Sequence, residues 1–256
     1  MTGARAGAGA VAGADLYDRI GSGYTGTRRP DRRIAHAVEA ALGDARTVVN
    51  IGAGTGSYEP TGRDVLAVEP SATMRAGRPA GSAPCLAAEA EALPLPDASV
   101  EAAMAIYADM HWRDHRRGIT EMVRVSTRRV VVLTVDHDAA TGYWLTRDYL
   151  PDADDLFAPL SRVTSVLPSC RVTTVPIPHD CADGFVHAFW RRPRALLDPR
   201  VRATMSLFAR LEPGAVERGL ARLGADLKSG AWQRRNREIL GLESLDLGHR
   251  LVVWER

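Results

Sequence analysis

The chain of 256 residues contains few cysteines and no long apolar run, and these absences narrow its class. Cys85, Cys170 and Cys181 are too few and too scattered for a disulfide framework, and no Cys-x-x-Cys or Cys/His spacing is typical of a zinc site. No apolar run approaches the roughly 18 residues that a membrane span needs. We therefore expect a cytoplasmic protein with no metal site and no membrane association.

The chain also lacks an excess of charge of either sign. It has 33 Lys and Arg residues against 31 Asp and Glu residues, a net charge of +2, and Lys228 is its only lysine. A nucleic-acid partner would favour a broad basic field, so none is expected. We interpret the arginine runs at 191–194 and 234–235 as solvated helix faces.

The first half of the chain alternates strand-like and helix-like patterns. Residues 1–14 are rich in Gly and Ala and are predicted to form a flexible tail, followed by one α/β domain over 15–256. Apolar runs followed by amphipathic segments predict a parallel, doubly wound sheet with crossover helices. The predicted strands of this half are 47–51, 64–68, 100–106 and 129–135, and helices are predicted from Asp31, through Met74 and over 117–125.

The second half has less regular patterns. Residues 137–168 have a weak apolar signal and are predicted to form a lid or insertion. Strands are expected at 170–177 and 250–254. The segment between them is far longer than a hairpin loop requires. We therefore predict that 185–246 is an inserted helical cap.

A glycine turn follows the first predicted strand, in the sequence Asn50-Ile51-Gly52-Ala53-Gly54-Thr55-Gly56. Glycines at alternate positions allow a sharp turn and let a ligand approach the main chain without interference from Cβ atoms. Glu69 lies at the end of the next predicted strand, where a carboxylate can accept hydrogen bonds from both hydroxyls of a ribose. The two features predict a site for an adenosine-type ligand across adjacent strand ends.

A dinucleotide such as NAD is the alternative ligand for this turn. The pattern Gly-x-Gly-x-x-Gly requires a third glycine at position 57, which is Ser57 here. The observed spacing, Gly-x-Gly-x-Gly, therefore disfavours a nicotinamide oxidoreductase.

The same stretches resemble motifs of the class I S-adenosylmethionine-dependent methyltransferases, in particular the small-molecule group called type 11. The similarity covers about half of the chain, in the order N-terminal lid (17–24), first motif (49–56), second motif (68–74) and the segment before the fourth strand (89–99). It implies a Rossmann-like, doubly wound sheet of seven strands, mostly parallel with an antiparallel last strand, plus an inserted helical cap. It also implies S-adenosylmethionine as the cofactor and S-adenosylhomocysteine as the product.

The resemblance assigns roles to individual positions. Asn50, Gly52, Ala53 and Gly54 would face the methionine part of the cofactor, and Glu69 would hold the ribose. The positions implied at the adenine and near the sulfonium are Pro70, Met74, Glu89, Ala90, Ile106 and Tyr107. Tyr17 and Tyr24 would belong to the lid, and Tyr24, Arg28 or Arg29 would close over the cofactor's carboxylate.

Two positions depart from the family pattern. Asn50 stands where the family usually has Asp or Glu, so this side chain can hydrogen-bond but cannot offset the cofactor's ammonium charge. Val100-Glu101 replaces the common Phe-Asp at the fourth strand. We interpret both as drift within a cofactor binder.

The candidate proton acceptor is His111, just past the fourth predicted strand. An imidazole with its ordinary pKa of about 6.5 can take a proton from a phenol, an amine or an acidic carbon near neutral pH. The alternative is that His111 packs against the helix beginning near His115 and contacts only cofactor or backbone. Trp112 is a candidate acceptor contact, with plain packing as its alternative.

Three further residues are candidates for binding the methyl acceptor: Tyr143, Trp144 and His179. Core packing explains Tyr143 and Trp144 about as well. Tyr149, Phe157 and Trp190 are further candidates for the wall of an apolar acceptor pocket, again with core packing as the alternative. A turn with Asx-type hydrogen bonds explains His179-Asp180-Cys181 without a ligand.

The sequence therefore predicts an enzyme of secondary metabolism that methylates O, N or C of a small molecule, as a monomer or homodimer. The alternative is a non-methylating protein that uses S-adenosylmethionine as structural support or as a positive charge for another reaction, such as a rearrangement.

Overall fold

The computed structural model describes residues 13–21 and 23–256, and within these ranges it contains nine β-strands. They are β1 (Thr47–Ile51), β2 (Asp64–Val68), β3 (Cys85–Leu86), β4 (Val100–Ile106), β5 (Ser126–Val135), β6 (Arg171–Thr174), β7 (Ile177–Pro178), β8 (Ser244–Leu245) and β9 (His249–Glu255). Seven of them form one sheet in the order β3-β2-β1-β4-β5-β9-β6, while β7 and β8 form a separate pair.

The large sheet is parallel apart from one strand. β1 to β5 pair in parallel, and β9 runs antiparallel to both β5 and β6. Its central strands β4 and β5 are almost continuously apolar and buried, as expected for parallel strands that are covered on both faces. These observations confirm the predicted Rossmann-like sheet of seven strands with an antiparallel last strand.

Helices connect the strands and cover the sheet. The α-helices are α1 (Gly13–Ile20), α2 (Tyr24–Thr27), α3 (Arg32–Leu42), α4 (Ala72–Ala76), α5 (His115–Val125), α6 (His137–Ala140), α7 (Trp144–Asp148), α8 (Ser161–Thr164), α9 (Pro199–Arg202), α10 (Ser206–Arg210), α11 (Pro213–Ser229) and α12 (Ala231–Arg235). Short 3₁₀ helices span Asp109–His111, Pro151–Leu156, Val186–Phe189 and Pro193–Leu197.

Two apolar cores lie on opposite faces of the sheet. α3 buries Ile34, Val38 and Leu42 in one core. α5 buries Ile119 and Met122 in the other. Because both faces are covered, a ligand can approach the sheet at the strand ends. In an open α/β sheet this site lies where the strand order reverses, which here is between β1 and β4.

Two predicted elements differ from the structure. The strand predicted at 170–177 is divided into β6, in the large sheet, and β7, which pairs with β8. The physical reason is that Pro176 and Pro178 have no N–H to donate to a continuous ladder. Most of the predicted tail, residues 1–12, lies outside the described residues, and residues 13 and 14 already belong to α1.

The region between β6 and β9 is mainly helical and contains α9 to α12. Its own packing is anchored by Trp190, Leu223 and Trp232, which are fully or almost fully buried. α10 contacts α1, and α1 also contacts α4. The N-terminal helix is therefore held between this region and the segment that follows β2.

Candidate active site

After β1 the main chain turns sharply through three glycines. Gly52, Gly54 and Gly56 have φ angles of 67°, 54° and 91°, in the region that favours glycine. The N–H of Gly52 donates to the carbonyl of Val68 at 2.8 Å. A Cβ atom on Gly52 would lie only 2.5 Å from the Cβ of Ala108. Glycine at this position therefore allows the turn to lie against the loop that follows β4.

The Glu69 carboxylate is fixed at the end of β2. Oε2 accepts a hydrogen bond from the N–H of Gly54 at 2.8 Å, and Oε1 accepts one from the N–H of Ser71 at 2.9 Å. The side chain is buried, and this burial raises the pKa of the carboxyl, opposed by the two hydrogen bonds. Each carboxylate oxygen has more than one lone pair, so both can accept from a further donor.

A cleft with about 810 Å³ of space free of protein atoms lies at this edge of the sheet, and we call it the cleft. Every cofactor residue implied by the sequence lines it except Arg29; these are Tyr17, Tyr24, Arg28, Asn50, Gly52, Ala53, Gly54, Glu69, Pro70, Met74, Glu89, Ala90, Ile106 and Tyr107. The placement of Arg29 is a correction, because this residue is exposed and outside the cleft. The backbone at Arg28 is extended, which turns consecutive side chains to opposite sides.

α1 closes one side of the cleft. Asp18 Oδ1 accepts hydrogen bonds from Ser71 Oγ at 2.5 Å and from the N–H of Thr73 at 3.2 Å. The Tyr17 hydroxyl lies 2.9 Å from His111 Nε2. The helix is thus tied to α4 on one side of the cleft and to the loop after β4 on the other.

Arg28 is held by a buried network. Its Nε donates to Asp183 Oδ1 at 2.6 Å, and its Nη1 donates to the Tyr24 hydroxyl at 2.6 Å. The Tyr58 hydroxyl also donates to Asp183, at 2.8 Å. Asp183 therefore neutralises the Arg28 charge, so at a bound carboxylate Arg28 could act only through its remaining N–H groups.

A second cavity, which we call the chamber, adjoins the cleft and has about 680 Å³ of space free of protein atoms. It shares Tyr17, Arg28, Tyr107 and His111 with the cleft, and we call these four residues the junction. The remaining lining is largely apolar or aromatic and consists of Met110, Val135, Leu156, Phe157, Phe185, Val186, His187, Met205, Ser206, Leu207, Arg210 and His249.

Comparison with known proteins identifies the family. The family model of a methyltransferase domain matches residues 49–133. A protein of Anabaena variabilis, assigned as a methyltransferase from an antibiotic biosynthesis pathway, is 34% identical with a TM-score of 0.82, and the match covers 89% of this chain and 98% of that one. The chain belongs to the class I S-adenosylmethionine-dependent methyltransferases.

More distant structures share the fold of this methyltransferase. The [4+2]-cyclase SpnF is 15% identical with a TM-score of 0.58, covering 95% of this chain and 94% of that one. Phosphoethanolamine N-methyltransferase 2 of Haemonchus contortus, in complex with S-adenosylhomocysteine, is 14% identical with a TM-score of 0.55, covering 95% of this chain and 59% of that one. A comparison with curated proteins gave no match.

The methyltransferase holds His111 at the junction. Burial, together with the nearby charges of Arg210 and Arg28, lowers the pKa of His111 to about 3. The imidazole is therefore neutral near pH 7 and carries one unprotonated ring nitrogen. A low pKa also makes it a weaker proton acceptor than its ordinary value suggests.

Asn50, the departure from the family pattern, is buried beside an ion pair. Its Nδ2 donates to Glu59 Oε1 at 3.3 Å, and Glu59 is paired with Arg78 at 2.7 Å. Arg78 also donates to the carbonyl of Gly54 at 3.3 Å. The pair therefore braces the glycine turn, and its charges are balanced within the protein.

Two of the predicted acceptor residues are corrected by the structure. Tyr143 and Trp144 line neither the cleft nor the chamber, since both are buried in the core. The Tyr143 hydroxyl donates to the carbonyl of Val186 at 2.9 Å, and Trp144 Nε1 donates to the carbonyl of Trp190 at 2.8 Å. Internal partners satisfy their polar atoms, so core packing explains them. Tyr149 and Trp190 are likewise buried away from both cavities, whereas Phe157 lines the chamber.

His179 is also placed outside both cavities. It follows β7, and its Nε2 lies 3.3 Å from a carboxylate oxygen of Glu243. The backbone N–H of His179 donates to the backbone carbonyl of Glu243 at 3.0 Å. His179 therefore belongs to the turn beside β8. Trp112, by contrast, lines the cleft and lies against Gly118 of α5.

Several residues at the site carry no sequence signal that singles them out. They are Tyr58, Asp183, His187 and His249, from four separate parts of the chain. The only signal that could have drawn attention to His187 is a polar residue in an otherwise apolar segment. For His249 the only signal is its position at the start of the last strand.

Neither a metal cluster nor a membrane-spanning helix was found in the described part of the chain. Residues 13–21 and 23–256 contain no group of three or more His, Cys, Asp or Glu side chains arranged to hold a metal ion. Within the same ranges no helix has the length and apolar character needed to cross a bilayer.

Proposed function

We propose that this methyltransferase transfers the methyl group of S-adenosylmethionine to O, N or C of a small molecule bound in the chamber. The observation that carries the proposal is the junction, because Tyr17, Arg28, Tyr107 and His111 border both cavities. A cofactor in the cleft and an acceptor in the chamber would meet there.

The residues of the cleft suit S-adenosylmethionine. Glu69 keeps two carboxylate oxygens in place and able to accept from ribose hydroxyls. The main chain of Gly52 to Gly54 has no side chain larger than alanine, which leaves it open to the methionine part. Met74 and Pro70 supply apolar surface for adenine, and Glu89 supplies an acceptor for its exocyclic amine.

The bound cofactor would supply a methyl group already activated by its sulfonium. What the chain must then provide is alignment of the two reactants, which contributes up to roughly 7–11 kcal/mol in favourable cases, and exclusion of water. Tyr17 and Asp18 hold α1 over the cleft through their bonds to His111 and Ser71. We propose that α1 excludes water from the junction in this way.

His111 is the proposed proton acceptor when the acceptor atom must lose a proton. Its imidazole lies at the junction and is neutral, since burial lowers its pKa to about 3. The same low pKa favours acceptors that lose their proton easily, or whose proton leaves after the methyl group has been transferred. A base is unnecessary for an acceptor atom without such a proton.

The chamber suits a small, partly aromatic acceptor. Leu156, Phe157, Phe185 and Leu207 line it with apolar and aromatic surface. The Anabaena protein is assigned to an antibiotic biosynthesis pathway, which supports an acceptor of secondary metabolism here as well.

The test combines binding and turnover. Calorimetry with S-adenosylmethionine should give one binding event, and incubation with methyl-labelled cofactor and metabolites of the producing cell should yield a labelled small molecule. Mass spectrometry then identifies the product and the methylated atom. Binding without label transfer from any metabolite would reject the proposed reaction, and absence of binding would reject the cofactor site.

A non-methylating reaction is the second candidate. It is favoured by one observation, namely that the [4+2]-cyclase SpnF shares the fold over 95% of this chain. The two candidates differ in one product, because methyl transfer converts the cofactor to S-adenosylhomocysteine. Conversion of an acceptor without S-adenosylhomocysteine would support the second candidate.

A further inference from the structure

Tyr107 has an unusual backbone conformation at the point where the two cavities meet. Its φ angle is 55°, which residues other than glycine rarely adopt. Its N–H donates to the carbonyl of Leu133 at 2.7 Å, so the strained residue is fixed directly after β4. Strain at a residue that lines two cavities points to a function of its side chain.

The Tyr107 hydroxyl begins a chain of three polar groups. It lies 2.8 Å from His249 Nδ1, and His249 Nε2 lies 2.9 Å from His187 Nδ1. The two histidines are 1% and 2% exposed, whereas Tyr107 is partly exposed. Phe157 stacks on the His187 ring at a centroid distance of 5.7 Å, and Tyr143 meets its edge at 4.8 Å. The histidine pair is therefore held rigidly, and Tyr107 is its accessible end.

The hydrogen bonds from Tyr107 to His249 and from His249 to His187 fix the orientation of the Tyr107 hydroxyl. Burial lowers the pKa of His187 to about 3 and that of His249 well below its ordinary value, so each ring is neutral and carries one N–H. Burial also raises the pKa of Tyr107 well above 10. His187 Nε2 has no hydrogen-bond partner among residues 13–21 and 23–256. Passing a proton from the acceptor along these groups would leave an imidazolium at His249 or His187, which are almost completely buried, whereas His111 is only half-buried at the junction. The three groups therefore do not act as a base.

We propose that the Tyr107 hydroxyl hydrogen-bonds a polar group of the acceptor, and that His249 and His187 are positioning residues that fix this hydroxyl at the junction. The inference rests on the proposed function, because it requires an acceptor in the chamber. The acceptor class is an apolar or aromatic molecule that carries one uncharged polar group, such as a hydroxyl, at the end that enters the junction.

Phenol and toluene are suitable probes, since they differ in a hydroxyl against a methyl group. Each is titrated into protein saturated with S-adenosylhomocysteine. Phenol should bind about 2- to 12-fold more tightly than toluene, the range expected for one neutral hydrogen bond. Tyr107→Phe and His249→Phe should abolish this preference and leave toluene binding unchanged. His249→Asn should keep it, because an amide can occupy the position of Nδ1.

The matched control is His179→Phe, which changes a histidine outside both cavities and should leave the preference intact. Equal binding of phenol and toluene to the unaltered protein, or an unchanged preference in His249→Phe, would overturn the proposal. Failure of S-adenosylhomocysteine to bind would instead reject the proposed function, so the two failures are distinguishable.

Nitrogen NMR of the unaltered protein gives a measurement that does not depend on the folding of a variant. Between pH 5 and 8, His249 and His187 should each show one protonated and one unprotonated nitrogen, and phenol should shift the His249 Nδ1 signal more than toluene does. Averaged signals from mobile tautomers, or no response of this nitrogen to phenol, would overturn the proposal.

Discussion

The cleft and the chamber share four residues but arise from the chain in different ways. The cleft is built mainly from short contiguous stretches, among them 50–58, 69–74 and 106–112. The chamber is assembled from single residues and runs of two or three, such as 185–187 and 205–207. They come from the N-terminal helices, β5, the loops after β4 and β5, the region between β6 and β9, and β9 itself. A contiguous stretch leaves a motif in the sequence, whereas an assembly of distant residues does not.

The two cavities also differ in the groups that they offer. The cleft presents main-chain atoms of a glycine turn and a carboxylate fixed by two backbone N–H groups. The chamber presents side chains, including His187 and His249, which are buried and form no salt bridge among the described residues. A cofactor that is the same throughout the family can be recognised by the main chain, while a particular acceptor must be recognised by side chains.

The largest expected effect is acid sensitivity that originates around the chamber. Burial lowers the pKa of His111, His187 and His249, and also of His115. Below pH 6.5 the unfolded chain binds protons that these folded groups exclude, so stability falls as the pH falls. Each histidine therefore lowers the free energy of unfolding by about 2 kcal/mol between pH 7 and pH 5. Asp109, with a pKa raised to about 6 by burial, acts oppositely and offsets about 1 kcal/mol.

Urea denaturation at pH 7 and pH 5 measures this difference. The free energy of unfolding should fall by several kcal/mol, and His187→Phe should reduce the fall by about 2 kcal/mol. Equal stability at the two pH values would contradict the assignment of neutral, buried histidines to the folded protein.

Gly52→Ala tests the packing of the cleft. The added Cβ would lie 2.5 Å from Ala108 at a φ of 67°, so strain and overlap should together lower stability by about 2–4 kcal/mol. Gly62→Ala is the matched control, because its φ is 71° and nothing lies within 4 Å of the added Cβ. The control should cost only about 1 kcal/mol. Equal losses in thermal or urea denaturation would mean that the contact with Ala108 is unimportant.

Glu69→Gln tests recognition in the cleft. The amide cannot accept from both ribose hydroxyls while its N–H₂ faces the N–H of Gly54 or Ser71. Loss of charge-assisted bonds, at about 1.5–3 kcal/mol each, should weaken S-adenosylmethionine binding about 100-fold in calorimetry. Glu238→Gln, at an exposed position, is the control and should bind normally. Normal binding by Glu69→Gln would remove this carboxylate from the cofactor site.

His111→Gln tests the junction. The side-chain amide can keep the hydrogen bond to Tyr17 but cannot act as a base, so turnover should fall at least about tenfold while cofactor affinity remains nearly intact. Tyr17→Phe removes the same hydrogen bond but keeps the imidazole, so it should weaken cofactor binding more than it lowers the turnover of bound substrate. Once the acceptor is identified, steady-state kinetics measure both variants. Unchanged turnover in His111→Gln would eliminate it as the base.

Tyr143→Phe should have the smallest effect. It removes the bond from the hydroxyl to the Val186 carbonyl and should lower stability by about 1 kcal/mol, measured by thermal unfolding. Phenol and toluene binding to the chamber should not change. A large loss of phenol binding would return Tyr143 to the acceptor site, against its position in the core.

Much of the cleft could be predicted from sequence because its residues keep their order along strand ends. The implied positions from Asn50 to Tyr107 all line it, and the exception among the cofactor residues is Arg29 in the N-terminal segment. The choice between Arg28 and Arg29 depends on one backbone turn after α2, which residue type does not determine. Tyr143 and Trp144 could not be placed either, since a buried aromatic residue and one that lines a cavity have the same composition.

The sequence by itself determined the doubly wound sheet, the glycine turn and the carboxylate opposite it. The physical reason is that hydrophobic periodicity and turn chemistry act over a few neighbouring residues. Only the tertiary structure decided that His249, at the start of the last strand, lies between Tyr107 and His187. Such contacts depend on how distant segments pack, and short-range patterns carry no information about that packing.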